Sequence, residues 1–218
     1  MLEETKKKGK AYANRKAEYL RPKGDLYHSP KSIFWKLMEN EKIEGITWEC
    51  ASGDNALLEE FPKYNIEGFG TDLSTGFDFL KDKQEKPFDT ILTNPPFSLF
   101  DSFIMKAKEY DPDTIIMLGK TNFLGVFSRN VKPEDRVKKL KEKYGDADRI
   151  WDGLKYMYVF DRMIDYQTPK RDDGYFHVGN LVTCWFVWKK GYTGDPSFKV
   201  LEVQDYATLG CYKEELYK

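Results

Sequence analysis

Residues 93–98 read T-N-P-P-F-S, directly after the apolar pair Ile91 and Leu92 and just before L-F-D-S-F-I-M. Prolines cannot donate to a sheet ladder, so two in succession at a strand exit need a reason. Pro95 biases Asn94 away from helical geometry, and Pro96 stiffens the chain behind it. The Asn94 amide is therefore expected to be presented at the strand end. Its oxygen, together with the carbonyl of Pro95 or Pro96, can accept hydrogens from an exocyclic amine, while Phe97 can stack on a planar ring. Such an arrangement holds a weakly nucleophilic aromatic amine facing an electrophile. The plain alternative is an Asn-Pro turn followed by a core phenylalanine.

A second constellation lies upstream. Ala51-Ser52-Gly53-Asp54-Asn55 follows a short apolar stretch and opens a helical pattern, the setting in which small residues let a ligand approach backbone N–H groups. It is not the G-x-G-x-x-G fingerprint. Gly53 is free to take a left-handed backbone, and Asn55 tolerates one better than most residues. Asp72 comes nineteen residues after Gly53, at the end of the next predicted strand, where a carboxylate can accept both hydroxyl hydrogens of a ribose. A helix-entry turn without a ligand remains the alternative for the loop alone.

These residues need a frame that brings strand ends together. A serine and proline before Ile33, Phe34, Leu37 and Met38 predict a helix over about 30 to 40. Ile46, Trp48 and Cys50 predict a strand, and Ala56, Leu57, Leu58 and Phe61 the inward face of a following helix. Further strands are predicted in Y-N-I-E-G-F-G-T-D, around Ile91 and Leu92, in T-I-I-M-L-G-K, in K-Y-M-Y-V-F and in L-V-T-C-W-F-V-W. A helix through Phe103, Ile104, Ala107 and Tyr110 and a charged helix near 133 to 144 separate some of them. Strands alternating with helices, with polar residues at the strand ends, give an α/β fold with a mostly parallel central sheet, whose ligands bind at the carboxyl ends of the strands. With 218 residues, the expectation is one domain spanning 1–218, with a basic N-terminal arm over 1–26 and an excursion over 125–178.

Bulk properties exclude more than they select. The 35 basic and 36 acidic residues nearly cancel, so charge neither demands nor forbids a polyanionic partner. Three cysteines without ligand spacing and two histidines argue against a structural metal and for a reducing compartment. No apolar run approaches the roughly 18 residues of a membrane span, and no signal core is visible, so a cytoplasmic location is expected.

T-N-P-P-F-S resembles the D/N-P-P-Y/F motif of S-adenosylmethionine-dependent amino-methyltransferases that act on nucleic-acid bases. W-E-C-A-S-G-D-N-A-L resembles the cofactor loop of that family, G-T-D its ribose-binding acidic position, and D-F-L at 78–80 the acidic position near the cofactor adenine. Y-H-S-P at 27–30 resembles the segment beside the methionine end of the cofactor, and C-W-F-V-W-K-K-G-Y-T-G-D-P is most similar to small phage-type adenine-specific DNA methyltransferases. Together these matches span about 27 to 196.

The resemblance implies a Rossmann-like class I methyltransferase fold, S-adenosylmethionine as cofactor, and methyl transfer to the adenine amine of DNA, double-stranded and with the target base flipped out. Cytosine amine methylation, RNA adenine methylation and a catalytically inactive cofactor-binding protein stay open beside it. It implies that Asn94, Pro95, Pro96 and Phe97 hold the target base. Tyr27, Ser29, Pro30, Glu49, Ala51, Gly53, Asn55, Asp72, Asp78 and Phe79 would bind the cofactor, with Glu49 near the methionine amino group, Asp72 on the ribose and Asp78 on the adenine amine. Asn55 departs from the family, which has a second glycine there. The family's later base-stacking aromatic has only Phe160 and Tyr166 as candidates. Asp78 and Asn94 are too close for a recognition domain between them, so target recognition is expected from 125–178, with Lys170, Arg171, Tyr175 and Phe176 as contacts. Oligomeric state does not follow from these residues.

Overall fold

A computed structural model describes residues 29–125, 150–162, 164 and 182–203. The basic arm, Tyr27, the charged stretch near 133 to 144, most of 125–178, and Tyr166, Lys170, Arg171, Tyr175 and Phe176 lie outside the described residues.

Helix α1 (Lys31–Met38) starts behind Pro30, whose backbone angles of −59° and 134° are extended and end the preceding chain. It buries Ile33, Phe34 and Leu37, one stripe at helical spacing. Helix α2 (Phe100–Glu109) buries Phe100, Phe103, Ile104 and Ala107, and its Asp101 and its Lys106 and Lys108 lie at the ends where the helix dipole favours them. Ala56 to Phe61 does not form the predicted α-helix; Leu58–Tyr64 is a 3-10 helix instead. Pro62 sits inside it, lacks an N–H, and would obstruct the α-helical carbonyl four residues earlier.

The strands are β1 (Thr47–Glu49), β2 (Gly68–Gly70), β3 (Thr90–Thr93), β4 (Thr114–Lys120), β5 (Leu154–Phe160), β6 (Thr183–Lys189) and β7 (Ser197–Leu201). They form one seven-stranded sheet in the order β2-β1-β3-β4-β6-β5-β7. Only β6 runs against its neighbours, pairing antiparallel with β4 from Thr114↔Lys189 to Lys120↔Thr183 and also with β5. The fold is the expected Rossmann-like α/β sheet, mostly parallel. β7 was not foreseen: Phe198 and Val200 lie exposed on this strand, so it lacks the apolar run that marks a buried one.

Strand alternation divides the core in two. Leu92, Ile116, Leu118, Trp185 and Val187 pack with α1 on one face; Ile91, Ile115, Met117, Phe186 and Trp188 pack with α2 on the other. Among the described residues no helix is long and apolar enough to cross a membrane.

Candidate functional site

The sheet order reverses beside β1, with β2 on one side and β3 on the other. A crevice opens outside the carboxyl ends at such a switch point. Glu49, Asp72 and Asn94, predicted from sequence, all fall at those ends.

Glu49 closes β1. It is 1% exposed, and neither carboxylate oxygen has a hydrogen-bond partner. The Thr93 hydroxyl and the backbone N–H groups of Ala51 and Asn94 are its polar surroundings, yet they fall short of hydrogen-bond geometry, and the Thr93 hydroxyl is itself unpartnered. Burial pushes the Glu49 carboxyl up to about 8; Thr93 and the two N–H groups pull the other way, and the charge of Asp72 adds to the rise. A buried acid left without partners suits a cationic ligand group, such as an ammonium, that brings both charge and donors. Cys50 beside it is buried, and burial first, then Glu49, pushes its thiol up, which disfavours a thiolate nucleophile.

The 51–55 loop turns over this acid. Gly53 has φ +51° and Asn55 φ +66°, so the asparagine takes the left-handed turn expected of a second glycine. The loop is tied to the next strand end by the Ser52 N–H on the Thr71 carbonyl at 3.0 Å and the Gly53 N–H on Asp72 Oδ2 at 3.0 Å.

Asp72 also accepts from the Ser74 N–H at 2.8 Å and the Ser74 hydroxyl at 2.6 Å. Burial opposes its ionised form, and the Ser74 and Gly53 donors outweigh burial and hold the carboxyl below its usual range. Two carboxylate oxygens offer about four acceptor directions, so three are occupied here. Rotation of the Ser74 hydroxyl frees a second direction and completes the pair that a ribose diol needs. Asp72 therefore also has a structural task, fixing the loop to β2, that sequence reasoning did not assign.

The adenine assignments fare less simply. Asp78 forms an ion pair with Lys81 at 2.7 Å and accepts from the Leu80 N–H at 3.1 Å. Lys81 first and the Leu80 N–H after it hold its carboxyl below the usual range, against a smaller opposing effect of burial. The Phe79 ring is 3% exposed and packs on Trp48, Phe103 and Tyr110 with centroids 5.2, 4.8 and 6.1 Å away. It is a core ring, so residue 79 can offer a ligand its backbone but not its face.

At the exit of β3 the amide of Asn94 is half-buried, and its Nδ2 donates to Ser29 Oγ at 2.8 Å. The Pro96 carbonyl accepts from the Leu99 N–H at 2.9 Å, closing a short 3-10 turn over Phe97–Leu99. Phe97 is half-buried, with the Lys120 ammonium 4.9 Å from its ring centroid. Lys120, at the carboxyl end of β4, was not singled out from sequence, because a lone lysine after an apolar strand carries no signal. Phe160, offered as a later stacking aromatic, is 2% exposed in the core and is withdrawn from that role.

A cavity of about 630 Å³ lies at the opposite ends of the strands, lined by Asp111, Trp151, Trp188, Lys190 and Tyr192 among others. In its lining Lys190 pairs with Asp111 at 2.6 Å, and the Lys108 ammonium donates to the backbone carbonyl of Asp152.

The chain matches no protein-family model and no curated protein. Among solved structures it is similar to a TehB-like SAM-dependent methyltransferase from Corynebacterium glutamicum, at 12% identity over 80% of this chain and 94% of that one, TM-score 0.41. It is similar also to a dimethyladenosine transferase from Plasmodium falciparum, at 12% identity over 75% of this chain and 62% of that one, TM-score 0.42. A SAM-dependent methyltransferase from Archaeoglobus fulgidus is 15% identical over 74% of this chain and 95% of that one, TM-score 0.39. Likeness at that depth says nothing about a methyl acceptor.

Proposed function

We propose that this chain transfers a methyl group from S-adenosylmethionine to the exocyclic amine of adenine in DNA. The observation that carries the reading is the meeting of two unlike demands at one point of the sheet. Glu49, buried without a partner, fits the ammonium of an amino-acid moiety, and Asn94, whose own N–H neighbours that acid, fits the hydrogens of an acceptor amine. The residues present suit the cofactor: Glu49 for the methionine ammonium, Asp72 for the ribose, and the Gly53 and Asn55 turn for close approach of the backbone.

Bound there, the cofactor supplies an electrophilic methyl group and leaves as a neutral thioether. Asn94 Oδ1 and the Pro95 carbonyl accept from the two amine hydrogens, orient the nitrogen lone pair, and stabilise the positive charge that grows on nitrogen. Phe97 stacks on the flipped base, with Lys120 on its ring. The basic residues of the 1–26 arm and Lys170 and Arg171 are assigned to DNA phosphates, with target recognition in the 125–178 excursion.

The test is incubation of purified protein with unmodified duplex DNA and methyl-labelled S-adenosylmethionine, followed by nucleoside analysis. Label is expected in the adenine amine, falling by about a hundredfold or more in Asn94→Ala, in line with removal of a charge-stabilising group. Label in cytosine would redirect the acceptor, and undiminished transfer by Asn94→Ala would refute the role of N-P-P-F.

A further inference from the structure

The carboxamide of Asn94 has two unlike ends, and a half-turn about its last bond exchanges an acceptor oxygen for a donor NH2. Only one orientation serves an acceptor amine, because the other sets donors against donors. Something must therefore favour that orientation before the base arrives.

We infer that Ser29 is a positioning residue for Asn94. Its hydroxyl oxygen accepts from Asn94 Nδ2 at 2.8 Å across 65 residues of sequence, a partner for the NH2 end in the orientation that turns Oδ1 toward an acceptor amine. A hydroxyl can donate as well as accept, so Ser29 does not forbid the flip. It supplies the partner that the productive orientation requires, for an amide that is half-buried. Both sides of the contact are stiff. Asn94 is followed by two prolines, while Ser29 and Pro30 lead directly into α1, anchored by the buried Ile33, Phe34 and Leu37 and by Trp185 Nε1 on the Ile33 carbonyl at 3.0 Å.

This reassigns Ser29 from the cofactor to the acceptor side of the site, and it rests on the amine-methylation reading of Asn94. A net hydrogen bond of ordinary strength sets the scale: Ser29→Ala is expected to lower kcat about five- to tenfold. The KM for S-adenosylmethionine stays at its wild-type value, the melting temperature falls by no more than the about 2–4 °C that one hydrogen bond accounts for, and Ser29→Thr restores most of the loss.

The deciding measurement is a cycle with Asn94→Asp, assayed by label transfer from S-adenosylmethionine to unmodified duplex DNA. A carboxylate offers oxygen at both ends and has no wrong orientation, so Ser29→Ala should cost less than about twofold in that background. An equal loss in both backgrounds, a wild-type kcat in Ser29→Ala, or a loss carried by the KM for S-adenosylmethionine overturns the inference. If Asn94→Asp is inactive, the alanine and threonine variants decide alone: a loss with Ala that Thr restores supports it, and equal losses overturn it. Ser29→Cys, a near-isosteric weak acceptor, replaces Ser29→Ala if that variant fails to fold. Full activity of Asn94→Ala would instead remove the underlying reading, whatever Ser29 does.

Discussion

Glu49 and Glu60 are both carboxylates enclosed by the protein, and they have opposite surroundings. Glu60, in the 3-10 helix 58–64, is 0% exposed and receives Trp35 Nε1 at 2.8 Å, Lys63 at 2.8 Å and Lys31 at 3.1 Å. Burial alone would raise its carboxyl, and Lys63, Trp35 and Lys31 together hold it below the usual range. Glu49, at the end of β1, has no such donors and is pushed upward. Glu60 has its partners within the protein and ties α1 to the segment after the 51–55 loop. The other acid has no hydrogen-bond partner within the protein, a setting that suits a cationic ligand group. In the cavity at the far end of the sheet, Lys190 and Asp111 are likewise paired within the protein.

The largest expected break in that comparison is Glu49→Gln. Near neutral pH the neutral amide resembles the protonated acid, so the unliganded fold should melt within about half a kcal/mol of wild type. S-adenosylmethionine should bind about a hundredfold more weakly, because a buried charge-assisted pair is lost. Calorimetric titration beside thermal melting reads both quantities, and unchanged affinity would detach Glu49 from the ammonium.

Asp72→Ala comes next. Loss of diol acceptors predicts about tenfold weaker binding of S-adenosylmethionine. The loop tethered through the Gly53 N–H should also loosen, visible as faster amide exchange at 52–55. Equal affinities in folded proteins would end the ribose assignment.

Glu60→Gln reverses the pattern. It removes the charge under Lys31 and Lys63 and weakens the bond to Trp35, so stability should fall by about 1–3 kcal/mol in denaturant unfolding. Affinity for S-adenosylmethionine should hold as long as the protein is folded. A change in affinity as large as that of Glu49→Gln would mean that the two acids do not divide structure and binding between them.

The frame and the chemistry were unequally legible. Strand ends bearing Glu49, Asp72 and Asn94 could be read because apolar alternation and the double proline are local signals. That Glu49 lacks partners while Glu60 has three could not, because two of those three, Lys31 and Trp35, come from α1, far away in sequence; Lys63 alone is local. Phe79 looked like a ligand-flanking ring and is a core ring, since its neighbours Phe103 of α2 and Tyr110, directly after α2, come from a distant part of the chain. The Ser29 hydroxyl on Asn94 joins residues that only the fold brings together, and Lys120 meets Phe97 for the same reason. Pro62, by contrast, was visible in the sequence, and it turned a predicted α-helix into a 3-10 helix.

The last expected effect is on the pH dependence, where the two acids should pull in opposite directions. A carboxyl raised to about 8 in the folded chain holds a proton that the unfolded chain has lost above its ordinary value of about 4.3. The native state then binds more protons than the unfolded one across that window, so Glu49 makes the unliganded protein less stable as pH rises from about 4.3 to 8, by at most about 1.4 kcal/mol per pH unit. Glu60, lowered in the fold, contributes stability that is present above about 4.3 and lost as pH falls through its folded value. Acid therefore weakens the contacts of Glu60, and base strains the surroundings of Glu49. Pairing with an ammonium requires Glu49 ionised, so binding releases up to one proton per site below pH 8, and affinity for S-adenosylmethionine should rise toward pH 8. It should then decline as the α-amino group of the cofactor, near 8 when unperturbed, loses its own proton. Titrations at pH 7 in buffers of different ionisation enthalpy measure the released proton directly. Its absence in wild type, or its persistence in Glu49→Gln, would show that the unpartnered acid is not the group that receives the cation.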